Sequence, residues 1–335
     1  MNTYRLLVAA ASAAVLAACN SGGSSLAPTP PAASIANPAR SFTPRHLYVA
    51  QADDIAPLVY RYPINAQGFP AKKPDGVLRL GFLYAGSIAI GPDGDLYVTK
   101  DGSQDDCRDL HKCEVDVYAP GASGRAKPVR RLYVPQKPLY VAVDQHGYLD
   151  VSTLATGGNT TNVYAPNASG HDKPLNQITG VGVNALAASH GIVYIETLDE
   201  GVEGLRERSP GGGNPIDFAL GRGNEPANGV ATDAEHLFAE YYDPQGSTFF
   251  LATDVFKLDA PGDAVRTIVG TGCRVSFSGG VLGYGLATYK KYLYEGCIDV
   301  GGGGGGVLVY DNTGNGRERP LERLSGGNAG VAVGP

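Results

Sequence analysis

The chain has 335 residues, a formal net charge of −6, 47 glycines, 23 prolines, a single methionine and no tryptophan. No basic cluster stands out, so the phosphate backbone of a nucleic acid is excluded as a partner class, because binding it requires concentrated cations. Beyond the N-terminus no apolar run reaches the ~20 residues of a membrane-spanning helix, and the remaining length fits two domains or one large β domain.

In chain order, Arg5 is followed by an apolar run from Leu6 to Ala18. This run is too short to span a bilayer. Behind a basic start and ending in small residues, it has the form of an export signal. Its end, Leu16-Ala17-Ala18-Cys19, resembles the lipobox of bacterial lipoproteins. That resemblance implies removal of residues 1–18, a diacylglycerol on Cys19 and anchoring in a membrane by two or three acyl chains. The same resemblance implies, from Asn20 rather than Asp after the cysteine, the outer membrane of diderm bacteria. The competing reading is an ordinary signal with an incidental cysteine. Residues 19–43 are rich in Gly, Ser, Pro, Ala and Asn, cannot bury a core and form a flexible tether.

From residue 44 the chain repeats itself. One phrase, Val-Tyr-Ala-Pro followed by a Gly-containing turn and a basic or apolar strand, is clearest from Val115 and Thr161. Weaker copies start at Leu58, Gly204, Thr253 and Gly306. A second phrase, apolar strand, tight polar turn, apolar strand, starts at Ser87, Tyr140, Ala185, Gly229 and Gly285. Short Val-, Tyr-, Ile- and Leu-rich runs bounded by Gly, Pro, Asn and Asp predict strands and turns. Each unit therefore carries four strands, a to d, and units of this kind predict a β-propeller. The sixth copy of the second phrase is split: the C-terminal Gly-Val-Ala-Val-Gly-Pro supplies strand a and Arg45-His46-Leu47-Tyr48-Val49-Ala50 supplies strand b. The expected fold is all-β, a six-bladed propeller over residues 44–335, closed by pairing of the C-terminal strand with the first blade.

The Val-Tyr-Ala-Pro copies and Gly91-Pro92-Asp93-Gly94-Asp95-Leu96-Tyr97-Val98 resemble NHL-type and YncE-like propellers. More distantly they resemble the six-bladed SMP-30/gluconolactonase-like group. The likeness covers residues 44–335 and speaks to fold, since one fold hosts many activities.

Antiparallel strands put the b–c loops and d–a links on one face, here the upper, and the a–b and c–d turns on the lower. Cys107 and Cys113 share one upper loop, and Cys273 and Cys297 lie on the upper side of neighbouring blades. Export and an even count after Cys19 favour disulfides Cys107–Cys113 and Cys273–Cys297. Metal ligation is the alternative, with a spacing that zinc sites do not use. His46, His146, His190 and His236 all fall in a–b turns and are read as polar turn residues. Aligned strands b bring Ala50, Thr99, Ser152, Glu196, Glu240 and Gly296 to one position. Asn184 and Asn228 stand at the start of strand a in the blades that carry the two glutamates. Asn184, Glu196, Asn228 and Glu240 are thus a candidate oxygen-ligand site suited to Ca2+. In the SMP-30-like group a Glu and Asn/Asp residues hold a divalent metal there, although that group's first-blade Glu has no clear counterpart here. The competing reading is solvated loop groups. The glycine run Gly301–Gly306 lacks the Lys-Ser/Thr of a phosphate loop.

No catalytic residue is assigned. The leading expectation is a monomeric, lipid-anchored envelope protein whose propeller binds or scaffolds a protein or polymer. The alternative is a metal-dependent lactonase, hydrolase or lyase with its site at the upper mouth, and a purely architectural spacer is a third.

Overall fold

The computed structural model describes residues 46–51, 57–81, 85–100, 113–155, 158–179, 182–197, 201–207, 209, 212–214, 216–219, 226–245, 248–260, 262–275, 285–297, 306–325 and 330–334. The export segment, Cys19, the tether and Cys107 lie outside them. Among the described residues there is no α-helix, and no helix long and apolar enough to cross a membrane.

The strands form six four-stranded antiparallel blades. Blade 1 holds β1 (His46–Gln51), β2 (Leu58–Pro63) and β3 (Gly76–Arg79); blade 2 holds β4 (Ala85–Ile90), β5 (Leu96–Lys100), β6 (Glu114–Tyr118) and β7 (Arg130–Tyr133). Blade 3 holds β8 (Lys137–Val143), β9 (Leu149–Ala155), β10 (Gly158–Tyr164) and β11 (Asn176–Thr179). Blade 4 holds β12 (Ala185–Ser189), β13 (Ile192–Glu196), β14 (Gly201–Arg206) and β15 (Ile216–Ala219). Blade 5 holds β16 (Pro226–Thr232), β17 (His236–Gln245), β18 (Thr248–Lys257) and β19 (Arg266–Val275). Blade 6 holds β20 (Leu286–Tyr289), β21 (Tyr292–Cys297), β22 (Gly306–Asp311) and β24 (Glu322–Ser325), while β23 (Gly316–Glu318) joins blade 5 as an added parallel strand. The last strand, β25 (Gly330–Gly334), pairs antiparallel with β1 in the register His46↔Gly334 to Ala50↔Gly330 and completes blade 1. Ring closure by the C-terminal strand, expected from the split phrase, is thus observed.

Hydrophobic packing lies between blades. Six buried clusters occur, and each draws on two neighbouring blades: Tyr48 and Ala50 with Ile88 and Val98, for example, and Leu47 and Val49 with Tyr294 and Val309. Alternate residues of one strand therefore serve opposite neighbours. Both faces of each sheet are buried, which explains why strands such as Glu114–Tyr118 and Tyr292–Cys297 are buried at every position. The repeating Tyr118, Tyr164 and Tyr310 are buried packing residues.

A second device joins the blades at the lower rim. The c–d turn of each blade latches onto the blade before it. Gly124 exchanges hydrogen bonds with blade 1 (Arg79 N–H to Gly124 O and Gly124 N–H to Val77 O, both 2.7 Å), and Gly170 does the same with Tyr133 and Arg131 of blade 2. Gly262 bridges to Phe218, and Gly316–Glu318 pairs with Ile268–Gly270. These four glycines have φ of 66°, 58°, 125° and 84°, a region costly for other residues. At the blade 3–4 junction the Asn176 side chain donates to Glu207 O (2.9 Å) and Ser209 O (2.6 Å). At the blade 6–1 junction the Tyr294 hydroxyl donates to Gly68 O at 2.5 Å. The outer strands, which would otherwise present open edges, are thereby covered in part.

Candidate acidic site between blades 5 and 6

The aligned positions in strand b are sealed: Ala50, Thr99, Ser152, Glu196 and Glu240 are all 0% exposed. Their partners differ. In blade 2 the Thr99 hydroxyl accepts the Ser87 N–H at 2.7 Å, across a register shift between Ala85 and Ile88. In blade 5 the equivalent irregularity lies between Pro226 and Val230, and Glu240 sits opposite it. A Cβ on Gly229 would lie 2.9 Å from Glu240 Oε2 and 3.0 Å from Leu286 Cγ. The absent side chain is therefore what gives the carboxyl its room. Gly229→Ala is expected to destabilise the domain by about 1–3 kcal/mol through overpacking, read as a lower urea midpoint at unchanged slope.

Strand alternation decides what each acid faces. Glu240 follows the parity of Phe238, and Glu295 that of Leu293; both of those side chains lie in the blade 5–6 core. Glu240 and Glu295 therefore approach one another across that interface. Glu196 follows Tyr194 toward blade 5. Burial pushes Glu240 far above the usual carboxylate range, and the neighbouring Glu295 and Glu196 add to the effect. Burial alone pushes Glu295 up to about 8. Neither oxygen of Glu240 has a hydrogen-bond partner among the described residues, nor has the hydroxyl of Thr253, which pairs with Glu240 in the register of β17 and β18. Both shifts favour the protonated form of Glu240 and Glu295, because burying a charge costs more than neutralising it.

Of the residues singled out in the sequence, Glu196 and Glu240 come within electrostatic reach of each other. Asn184 meets Glu196 through the backbone, its N–H donating to Glu196 O at 2.8 Å. Asn228 lies within β16, and its side chain is not among those described. Glu295 is the member that sequence alignment missed: the aligned position falls on Gly296, one residue further along. Its visible signal is an acid inside the apolar run Tyr292-Leu293-Tyr294-Glu295. Among the described residues no group of three or more His, Cys, Asp or Glu side chains is placed to hold a metal ion.

A comparable buried acid lies at the lower end of the blade 3–4 interface. Asp150 is pushed well above the usual range by burial and by the neighbouring Glu207, with a further contribution from Asp144. The histidines serve local turns: His236 Nδ1 lies 3.3 Å from Asp233 Oδ1, His46 Nε2 lies 3.3 Å from Asp75 Oδ2, and His190 takes φ 56° in its turn. Cys113 and Cys297 are buried. Of the partners expected for them, Cys107 is outside the described residues and Cys273 is described in its backbone only.

At the upper end, most b–c loops lie outside the described residues. Blade 5 differs from the rest: β17 and β18 each run for 10 residues, against 4 to 7 in the strands of the other five blades. Their pairing continues from His236↔Lys257 to Gln245↔Thr248, so this hairpin extends beyond the strand ends of its neighbours.

No family model matches the chain, and no curated protein matches it. Solved structures do. The WD40 β-propeller domain of Doa1 is similar with a TM-score of 0.52 at 11% identity, over 87% of this chain and 86% of that one. Hydrazine synthase from Kuenenia stuttgartiensis aligns with a TM-score of 0.45 at 12% identity over 68% of this chain, which spans 62% of that one. Glutaminyl cyclase from Myxococcus xanthus aligns with a TM-score of 0.37 at 14% identity, over 63% of this chain and 84% of that one. At 11% identity the likeness to the Doa1 domain shows the fold alone. The chain is a six-bladed β-propeller, a class whose members are told apart by their sites.

Proposed function

We propose that the protein is a lipid-anchored lipoprotein of the cell envelope, held at the outer membrane through Cys19, whose propeller binds a protein or polymer at its upper face as a monomer. The observation that carries this reading is the long blade 5 hairpin, whose pairing runs from His236↔Lys257 to Gln245↔Thr248 on a closed scaffold, beside acids that have no exposed surface for chemistry. Disulfides Cys107–Cys113 and Cys273–Cys297 belong to the same proposal and would brace the upper face. The test is capture from a solubilised envelope fraction by the full lipidated chain. Charge reversal at Asp243 on the hairpin should lower capture of the retained species at least several-fold, while Glu235→Lys on the lower side leaves it unchanged. Equal capture by all three proteins would contradict the reading.

The second reading is a Ca2+ site of the type used by metal-dependent lactonases, hydrolases or lyases, built on Asn184, Glu196, Asn228 and Glu240; it draws on the electrostatic reach between Glu196 and Glu240. Addition of Ca2+ should then raise the melting temperature of the wild type and not that of Glu240→Gln. No shift in either protein would remove this reading.

A further inference from the structure

All four large apolar side chains that stand exposed among the described residues occupy one position of the repeat: Val129 (57%), Leu175 (62%), Val265 (48%) and Leu321 (52%). Each is fixed by the same backbone bond at the lower end of its blade. The N–H of Val129 donates to Val117 O, that of Leu175 to Val163 O, that of Val265 to Val255 O and that of Leu321 to Val309 O, all at 2.7–2.8 Å. In three blades the apolar residue follows a cation and a proline: Lys127-Pro128-Val129, Lys173-Pro174-Leu175 and Arg319-Pro320-Leu321, with all three cations exposed. Blade 1 keeps the cation and proline as Lys73-Pro74 but has Asp75 next, bonded by Arg61 Nε at 2.8 Å and beside His46. His46 is the first residue of β1 and pairs with Gly334 at the lower end of blade 1. The first strand therefore begins on the face that carries the apolar ring.

We infer that this lower rim docks on a phospholipid surface containing anionic headgroups, its apolar side chains entering the headgroup–acyl boundary and its Lys and Arg side chains meeting lipid phosphate. The inference rests on the anchoring reading above. Four apolar points separated by whole blades around a ring cannot be covered by one compact partner pocket. A continuous fluid surface meets all of them at once, and a cation two residues from an apolar side chain matches the layering of a lipid interface. An anchor at Cys19 would supply proximity: a flexible segment of this length has a root-mean-square reach of roughly 30 Å, so individually weak contacts act at high effective concentration.

The absence of tryptophan makes the test clean, since one introduced indole is the only such reporter in the chain. Full-length lipidated Leu175→Trp and Thr179→Trp proteins, which place the indole at the lower and upper ends of one strand, are reconstituted into phosphatidylethanolamine–phosphatidylglycerol vesicles with and without brominated lipid. The brominated lipid should quench the Leu175→Trp indole at least twofold and leave Thr179→Trp unchanged. Adding Val129→Asp, Val265→Asp and Leu321→Asp to the Leu175→Trp protein should relieve the quenching while the protein still floats with the vesicles. Flotation without quenching at Leu175→Trp overturns docking and leaves anchoring intact, and failure to float overturns both. Quenching that is equal in purely zwitterionic vesicles overturns the anionic-headgroup assignment. Protection of the rim through association with a second copy, seen by crosslinking in detergent, overturns the lipid assignment.

Discussion

Raising the pH from about 5 to about 8 is expected to destabilise this propeller, the reverse of the usual acid sensitivity of a folded domain, and Glu295→Gln is expected to remove much of that loss. Burial holds the Glu295 carboxyl up to about 8 in the folded state, against roughly 4.3 in an unfolded chain. Between those values the native state binds more protons than the unfolded state. The stabilisation is complete below the unfolded value and is lost as pH rises through the folded one. Each such acid contributes about 1.4 kcal/mol per pH unit across the window. Glu240, raised by burial and then by Glu295 and Glu196, acts in the same direction. So do Asp150, raised by burial and by Glu207, and Asp116, raised to about 6 by burial and by Glu114. The opposing group is small. At Asp75 and Asp311 burial pushes upward but is outweighed, by Arg61 for Asp75 and by Thr313 for Asp311. Their stabilisation is lost only as pH falls through the low carboxylate range. Urea midpoints measured across pH should therefore peak in the mildly acidic range, with Glu295→Gln flatter and more stable than wild type near pH 8, by on the order of a few kcal/mol. A wild-type midpoint that rises from pH 5 to pH 8, or one that Glu295→Gln leaves unaltered, would show that these acids are ionised and otherwise paired.

Truncation after Ser325, which removes β25, is expected to abolish cooperative unfolding. The lost strand pairs with β1 at five positions from His46↔Gly334 to Ala50↔Gly330. Its side chains serve two interfaces, Val331 in the core with blade 6 and Ala332 in the core with blade 2. Burial of a valine is worth about 1.5–3 kcal/mol and each backbone hydrogen bond about 1 kcal/mol net. The sum approaches the roughly 5–15 kcal/mol that holds an entire domain together, and the bared inner edge of β1 would invite aggregation. A truncated chain that melts in a single sharp transition within a few degrees of the intact protein would refute this expectation.

Blade number and closure were legible because each blade repeats the same phrase, and because only a split phrase leaves an unmatched strand at each end. Other features depend on which neighbour a side chain meets, and one-dimensional alignment does not carry that. Glu196, Glu240 and Gly296 align by distance from the a–b turn, yet the acid that joins the first two is Glu295, turned toward blade 5 by the parity of its strand. The segment Gly316-Arg317-Glu318 reads as part of a turn and becomes a strand only because β19 offers it an edge. The Ser-Gly pairs at Ser123-Gly124 and Ser169-Gly170 are visible as repeats, but their use as latches requires the preceding blade. Gly229 reads as the start of an apolar strand, and its function is to leave space for the Glu240 carboxyl on the next strand.

The central claim is the closed ring, and the most direct measurement is hydrogen–deuterium exchange of the intact chain followed peptide by peptide. The C-terminal Gly330–Gly334 amides that pair with β1 should exchange as slowly as those of His46–Ala50, both opening only with global unfolding. Full exchange of the C-terminal peptide within seconds, while His46–Ala50 stays protected, would mean that the ring is not closed by this strand.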